Sequence, residues 1–189
     1  MLSTNKQKLW LWLGLLAIFP ATAFLLHAEG RLWICACGKL LAWSGRVCSA
    51  DNSQHFLDPY SFTHLLHGVL FFWLIYWLAP RWRLTSQLLL ATAAEAAWEV
   101  LENTNFIIER YRTATAALGY NGDTVVNSFG DILCCIAGFV VAQRLGLRRS
   151  LLVFVAFELI LIVWIHDSLL LEILMLIAPV NAIKAWQMC

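Results

Sequence analysis

The chain has 189 residues, 61% of them hydrophobic and 13% charged, with ten tryptophans and a net charge of +1. Its mean hydropathy of +0.71 excludes an ordinary soluble domain and fits a single integral membrane domain over residues 1–189. The near-neutral balance offers no basic patch for nucleic acid, and no repeat, low-complexity tract or Gly/Ser linker stands out.

Residues 1–8 are polar and carry Lys6 and Lys8. Leu9 to Leu26 is an apolar run long enough to span a bilayer, with Pro20 as a kink. Ala21-Thr22-Ala23 resembles a signal-peptide cleavage site, but the apolar run continues past it, which favours an uncleaved helix. Residues 28–60 form a mixed loop. Leu32, Trp33, Leu40, Leu41 and Trp43 in it suggest a short amphipathic helix at the interface. Cys35, Cys37 and Cys48 in this loop leave two readings open, a disulfide or a thiolate metal site. The C-A-C step lacks the two spaced pairs usual for zinc. Cys134 and Cys135 fall in a later helix, and Cys189 ends the chain.

Asp58-Pro59 reads as a helix start, and a second span follows at 61–78. Pro80, Arg81 and Arg83 make a basic turn before a third span at 84–106. Residues 107–122 are polar and end in an Asn-Gly turn, with Asp123 placed to cap the next helix. The fourth span covers 124–145, Arg144, Arg148 and Arg149 follow, and the fifth covers 151–165. A further apolar stretch at 168–178 spans, re-enters or lies in the interface. The expected fold is therefore all-α, a polytopic membrane protein of about five spans plus this extra segment. The basic N-terminus and the basic turns at 80–83 and 144–149 share one side. That places the N-terminus in the cytoplasm and loops 28–60 and 107–122 outside a bacterial inner membrane. Arg31, Lys39, Arg46, Arg110 and Arg112 in the outer loops run against this orientation.

Glu95, Glu99 and Glu102 recur at i, i+4 and i+7, which puts three carboxylates on one helix face. Acids at membrane depth need partners. The topology supplies them at the outer ends of neighbouring spans: His64 and His67, one turn apart, and Asp123, Asn127 and Asp131 at i, i+4 and i+8. Two histidines among carboxylates match the ligand types of Zn, Mn or Fe. His64, His67, Glu99, Asp131 and Asp123 are the candidate ligands, and Glu95, Glu99, Glu102, Asn127 and Asp131 the candidate acid–base groups. Arg110, Arg112 and His166 lie at the same face and could bind an anionic head group. Plainer roles stand beside these: capping for Asp123, a helix-interface role for Glu95, helix–helix hydrogen bonds for Asn103 and Asn127. Packing explains Trp98, close helix approach explains Gly130 and Gly138, and a membrane boundary explains His166-Asp167.

The segments S-F-T-H-L-L-H-G, E-A-A-W-E-V-L-E-N, F-I-I-E-R-Y-R-T-A-T and Y-N-G-D-T-V-V-N-S-F-G-D resemble an uncharacterised family of bacterial inner-membrane proteins of about this length. The likeness extends to C-A-C-G, N-S-Q-H-F-L-D-P-Y and L-M-L-I-A-P-V-N-A-I-K-A-W-Q, so nearly the whole chain takes part. It implies the membrane class and no reaction. The family carries an Arg-Asp-Asn step where this chain has His166-Asp167-Ser168, which puts a shared role for position 166 in doubt. His67-Gly68, Glu99, Asp123, Asn127 and Gly138 more loosely resemble the VanZ-like envelope proteins.

The expectation is a membrane protein, uncertain as an enzyme but fitting a metal-dependent hydrolase or transferase on a lipid or lipid-linked substrate. The alternatives are an ion- or proton-coupled transporter and a non-catalytic envelope factor. Transport would need polar residues in the inner half of the same helices, where Gln87 and Gln143 are the main candidates.

Overall fold

A computed structural model describes residues 4–115, 117 and 119–188, all-helical with no strand among them. The order is α1 (Thr4–Ala28), α2 (Ser61–Leu78), α3 (Leu84–Glu102), α4 (Asn105–Ala114), α5 (Val125–Ile165), α6 (Leu169–Ile177) and α7 (Asn181–Gln187). Among the described residues, three stretches are long and apolar enough to cross a membrane: Leu9–Ala28, Ser61–Leu78 and Val125–Ile165. α3 has the length of a span, but its three glutamates lower its hydropathy.

Helix α5 holds two limbs. Gly146 breaks it with a φ of 73°, a left-handed angle that glycine adopts without strain. The contacts on α2 show that the chain reverses there. Gly130 abuts Phe56 just ahead of α2, and Phe139 meets Phe72 within it at 5.1 Å, so residues 125–145 run alongside α2 in the same direction. Trp73 donates to Ser150 Oγ at 2.8 Å, and Phe62 stacks on Phe157 at 5.2 Å, so residues 147–165 run the opposite way. Gly14 of α1 abuts Leu89 of α3, and Ala23 and Leu26 pack with Val100, so α1 and α3 run parallel. The bundle thus has five passes of alternating direction along the chain, α1, α2, α3 and the two limbs of α5. Its apolar core joins Leu66, Val69 and Phe72 of α2 to Phe139, Ala142 and Phe154 of α5.

The short connections lie at one end and the long ones at the other, where they form a cap over the bundle. Val125 N–H donates to Leu32 O, Thr124 N–H to Ser53 O, and Gln54 Nε2 to Gly122 O, so segment 29–60 is laced onto the start of α5. Arg110 Nε donates to Leu176 O at 2.8 Å, which ties α4 to α6.

The structure corrects several sequence expectations. The third pass ends at Glu102, not residue 106. Thr104 begins α4, its hydroxyl accepting from Ile107 N–H, inside a stretch expected to be a polar loop. The cap of α5 is Thr124, one residue beyond Asp123; its hydroxyl accepts from Asn127 N–H at 3.2 Å. Segment 29–60 contains no helix. Left-handed Gly30 and Gly38 break the helical path on either side of the Cys35–Cys37 disulfide. Its Leu32, Trp33 and Leu40 are nonetheless half exposed at the surface. α6 is a separate helix of nine residues, roughly 14 Å long, too short to cross a bilayer. Cys189 lies outside the described residues.

Candidate functional site

The polar residues meet where α2, α3 and the first limb of α5 run under the cap. Glu95 stands at the centre, fully buried. Its Oε1 lies 2.6 Å from His64 Nδ1 and 3.1 Å from His67 Nδ1, and its Oε2 lies 3.1 Å from the latter. One carboxylate thus holds two imidazoles by the same ring nitrogen. Fixing the proton on Nδ1 leaves each Nε2 as a lone-pair donor, the tautomer of a metal-ligating histidine backed by a carboxylate. The i, i+3 spacing makes this work, because it turns both rings towards one point on α3. The rings meet edge to face at 5.2 Å, Trp98 lies edge-on to His67, and the Cys135 thiol faces Glu95.

One turn along α3, Glu99 is equally buried and differently placed. Its Oε1 lies 3.1 Å from His64 Nδ1, but that nitrogen is better aligned on Glu95. Neither Glu99 oxygen has a hydrogen-bond donor among the described residues. Glu102 Oε2 and Asp131 Oδ1 are likewise buried without a donor, while Glu102 Oε1 accepts from Tyr111 Oη at 2.8 Å. His64, Glu99 and Glu102 each offer one ligand atom within 4.8 Å of the others, and so do His64, His67 and Glu95. The second set is satisfied internally by hydrogen bonds. The first is not, and buried carboxylates without donors are the kind of group that a cation, a water or a proton satisfies.

The other sequence candidates take different places. Asn127 Nδ2 turns to Asp58 Oδ2 at 3.4 Å. Asp123 accepts from Asn103 Nδ2 and Tyr120 Oη, each at 2.9 Å, and its own N–H donates to Asn103 Oδ1. Arg110 holds the last carbonyls of α6, and Arg112 bonds Tyr120 O and Asn121 Oδ1. His166 stacks on Trp186 at 4.8 Å. None of these three basic residues lines the two cavities described next. Gln87 Nε2 donates to Ala79 O and Trp82 O and so closes the α2–α3 turn.

Two cavities adjoin at the cluster. The first, of about 90 Å³, is polar and lies under the cap, with His64, Asp131, Asp123 and Asp167 in its walls. The second, of about 480 Å³, is apolar and opens between α2, α3 and α6, lined by Phe71, Trp98, Leu101 and Leu176. His64, Glu102, Tyr111 and Glu172 border both. Around the polar cavity, burial pushes the Asp58 carboxyl up to about 6, with Asp123 adding to it, and burial pushes Asp167 up to about 7. Burial likewise raises Asp123, against hydrogen bonds from Asn103 and Tyr120 that pull it down.

Sequence reasoning passed over Tyr60, Tyr111, Tyr120 and Glu172. The one available signal was Glu172 as a lone acid within an apolar run.

The profile of a family described as protein of unknown function (DUF2585) matches residues 26–189. The chain belongs to this family. A UPF0314 protein of Sinorhizobium fredii is 45% identical over 188 residues, covering 97% of this chain and 94% of that protein. Others are 44% identical in Sphingopyxis alaskensis, covering 93% and 94%, and 42% identical in Paracoccus denitrificans, covering 93% and 91%. No solved structure matches the chain significantly. The DUF2585 membership agrees with the resemblance carried by the motifs around His67, Glu99 and Asp123.

Proposed function

We propose that this DUF2585 protein is a metal-dependent enzyme, a hydrolase or transferase, acting on a lipid or lipid-linked substrate at the outer face of the bacterial inner membrane. The observation that carries the reading is Glu99, whose two oxygens are fully buried and accept no hydrogen bond among the described residues, the one nearby nitrogen, His64 Nδ1 at 3.1 Å, being spent on Glu95. His64, Glu99 and Glu102 would hold a divalent cation of the Zn, Mn or Fe class, with Asp131 in the wall of the polar cavity beside it and His67 in the wall of the apolar one. Bound there, the metal would supply Lewis acidity and an activated water. Glu95 positions both imidazoles through Nδ1. Asp131, with one unpaired oxygen, is the group to accept a proton. The apolar cavity supports a lipid substrate, because it brings hydrocarbon to the cluster from the side.

The proposed orientation is supported by Arg81, Arg83, Arg144, Arg148 and Arg149, which collect at the end with short connections, as the positive-inside rule expects of a cytoplasmic side. A transport reading gains nothing from the packing. Below the cluster α2 and α5 close on Leu66, Val69, Phe72 and Phe139, and Gln143 is exposed on the outside of the bundle.

The test is turnover in lipid nanodiscs of mixed bacterial lipids, followed by mass spectrometry. A lipid should be consumed by the wild type, spared with a chelator, and spared by Glu99→Gln. Consumption that survives both treatments contradicts the proposal.

A further inference from the structure

The polar cavity has an unusual charge balance. Glu102, Asp123, Asp131, Asp167 and Glu172 line it, and among the described residues no lysine or arginine does. One divalent ion at His64, Glu99 and Glu102 would leave the other four acids facing the same space. An anionic head group entering by itself would meet acids and no lysine or arginine side chain among the described lining residues. Three tyrosines complete the wall. Each spends its hydroxyl on one of these acids: Tyr60 on Asp167 at 3.4 Å, Tyr111 on Glu102 at 2.8 Å, Tyr120 on Asp123 at 2.9 Å. With the hydroxyls engaged, the three aromatic rings stand in the wall beside the carboxylates, and Tyr111 and Tyr120 meet edge to face at 5.5 Å. Carboxylates together with aromatic rings are the groups that hold an ammonium, quaternary ones included. A cavity of about 90 Å³ has room for several waters or one small cationic group.

The adjoining cavity supplies the other half of an amphiphile. It shares His64, Glu102, Tyr111 and Glu172 with the polar one, and its walls are otherwise nearly all apolar. Leu70 and Leu101 on its rim are also exposed on the outer surface of the bundle, so the groove opens to the side.

We propose that the occupant is a membrane lipid with an ammonium head group. The head sits among Tyr60, Tyr111, Tyr120, Asp167 and Glu172, and a chain lies in the groove between α2 and α3. This rests on the lipid-substrate reading above and names the head-group class.

Native mass spectrometry of the detergent-purified full chain tests it, using choline-, ethanolamine- and glycerol-headed phospholipids with identical chains. Retention of the first two should exceed that of the glycerol lipid at least about tenfold, near 1.4 kcal/mol. The Asp167→Asn, Glu172→Gln double variant should lose that preference. Tyr111→Phe, which keeps the ring, should retain it, and Tyr111→Leu should not. Because a variant can fail to fold, the wild-type comparison stands alone: equal or better retention of the glycerol lipid overturns the proposal. Soluble phosphocholine binding as tightly as the choline lipid also overturns it, since the groove would then contribute nothing. Metal content is read on the same samples. Metal present with no head-group preference defeats this inference alone, and preference without metal defeats the metal reading alone.

Discussion

Helix α2 has two faces that are built in opposite ways. The face towards α5 is closed. A Cβ on Gly68 would fall 1.9 Å from Cys135 O, and one on Gly138 would fall 1.9 Å from Leu65 O, so the two backbones touch. The face towards α3 is open: a 480 Å³ cavity with His64 and His67 at its edge and Glu95 behind them. The closed face fixes the rotation and depth of α2. The open face uses that fixity, because two imidazoles can share one carboxylate only if α2 cannot turn. Small residues make the rigid side and ionisable residues the reactive one.

Breaking the closed face should have the largest effect. Gly68→Val must push α2 off α5, beyond the about 1–3 kcal/mol usual for overpacking. The expected result in detergent is loss of the monodisperse peak on size-exclusion chromatography. Next is the hinge between the faces. Glu95→Leu removes the acceptor of both histidines, and losing a buried partner of this kind costs about 3–5 kcal/mol. Thermal unfolding in detergent should show a large drop in Tm, with Glu95→Gln falling between the mutant and the wild type.

A third test compares the two regions by pH. Asp58 at about 6 and Asp167 at about 7 are held above their ordinary 3.8, so the fold binds their protons more tightly than the unfolded chain does. Stability from these neutral carboxyls is full below about pH 4 and is lost as pH rises through about 6 and then about 7. For Asp58 the difference is about 3 kcal/mol. With chelator present, Tm should therefore fall between pH 5 and pH 8. A flat or rising Tm would show that the cap acids are not under this strain. The smallest effect belongs to the closed face again. Trp73→Phe deletes a 2.8 Å hydrogen bond to Ser150 and should lower stability by about 1 kcal/mol in denaturant titration.

Much of this arrangement could be read in the sequence, and the exceptions have physical causes. The passes follow from apolar runs bounded by Pro80, the arginine turns and Asn121-Gly122, all local signals. The convergence of His64, His67, Glu95 and Glu99 follows from helical spacing once the passes alternate. The end of α3 was misjudged because Phe106, Ile107 and Ile108 continue its apolar character, while Asn103 and Thr104 carry the break. From the sequence Glu95 reads as either a packing or a site residue, yet it is the residue the histidines share. Nothing local distinguishes it from Glu99; only the position of α2 does. The partnerships of Tyr60 with Asp167, Tyr111 with Glu102 and Arg110 with α6 join segments up to 107 residues apart, beyond any periodicity. The looser VanZ likeness rests on six scattered positions, whereas DUF2585 membership rests on residues 26–189.

The central claim is that Glu99 lacks a hydrogen bond because it serves a cation. Elemental analysis by ICP-MS on the purified wild type beside Glu99→Gln tests this most directly. The account predicts near-stoichiometric Zn, Mn or Fe in the wild type and its loss in the variant. The metal-free variant should also melt higher than the metal-free wild type, because it no longer buries an uncompensated acid. Absence of metal from a folded, monodisperse wild type, even after incubation with each ion, would contradict it.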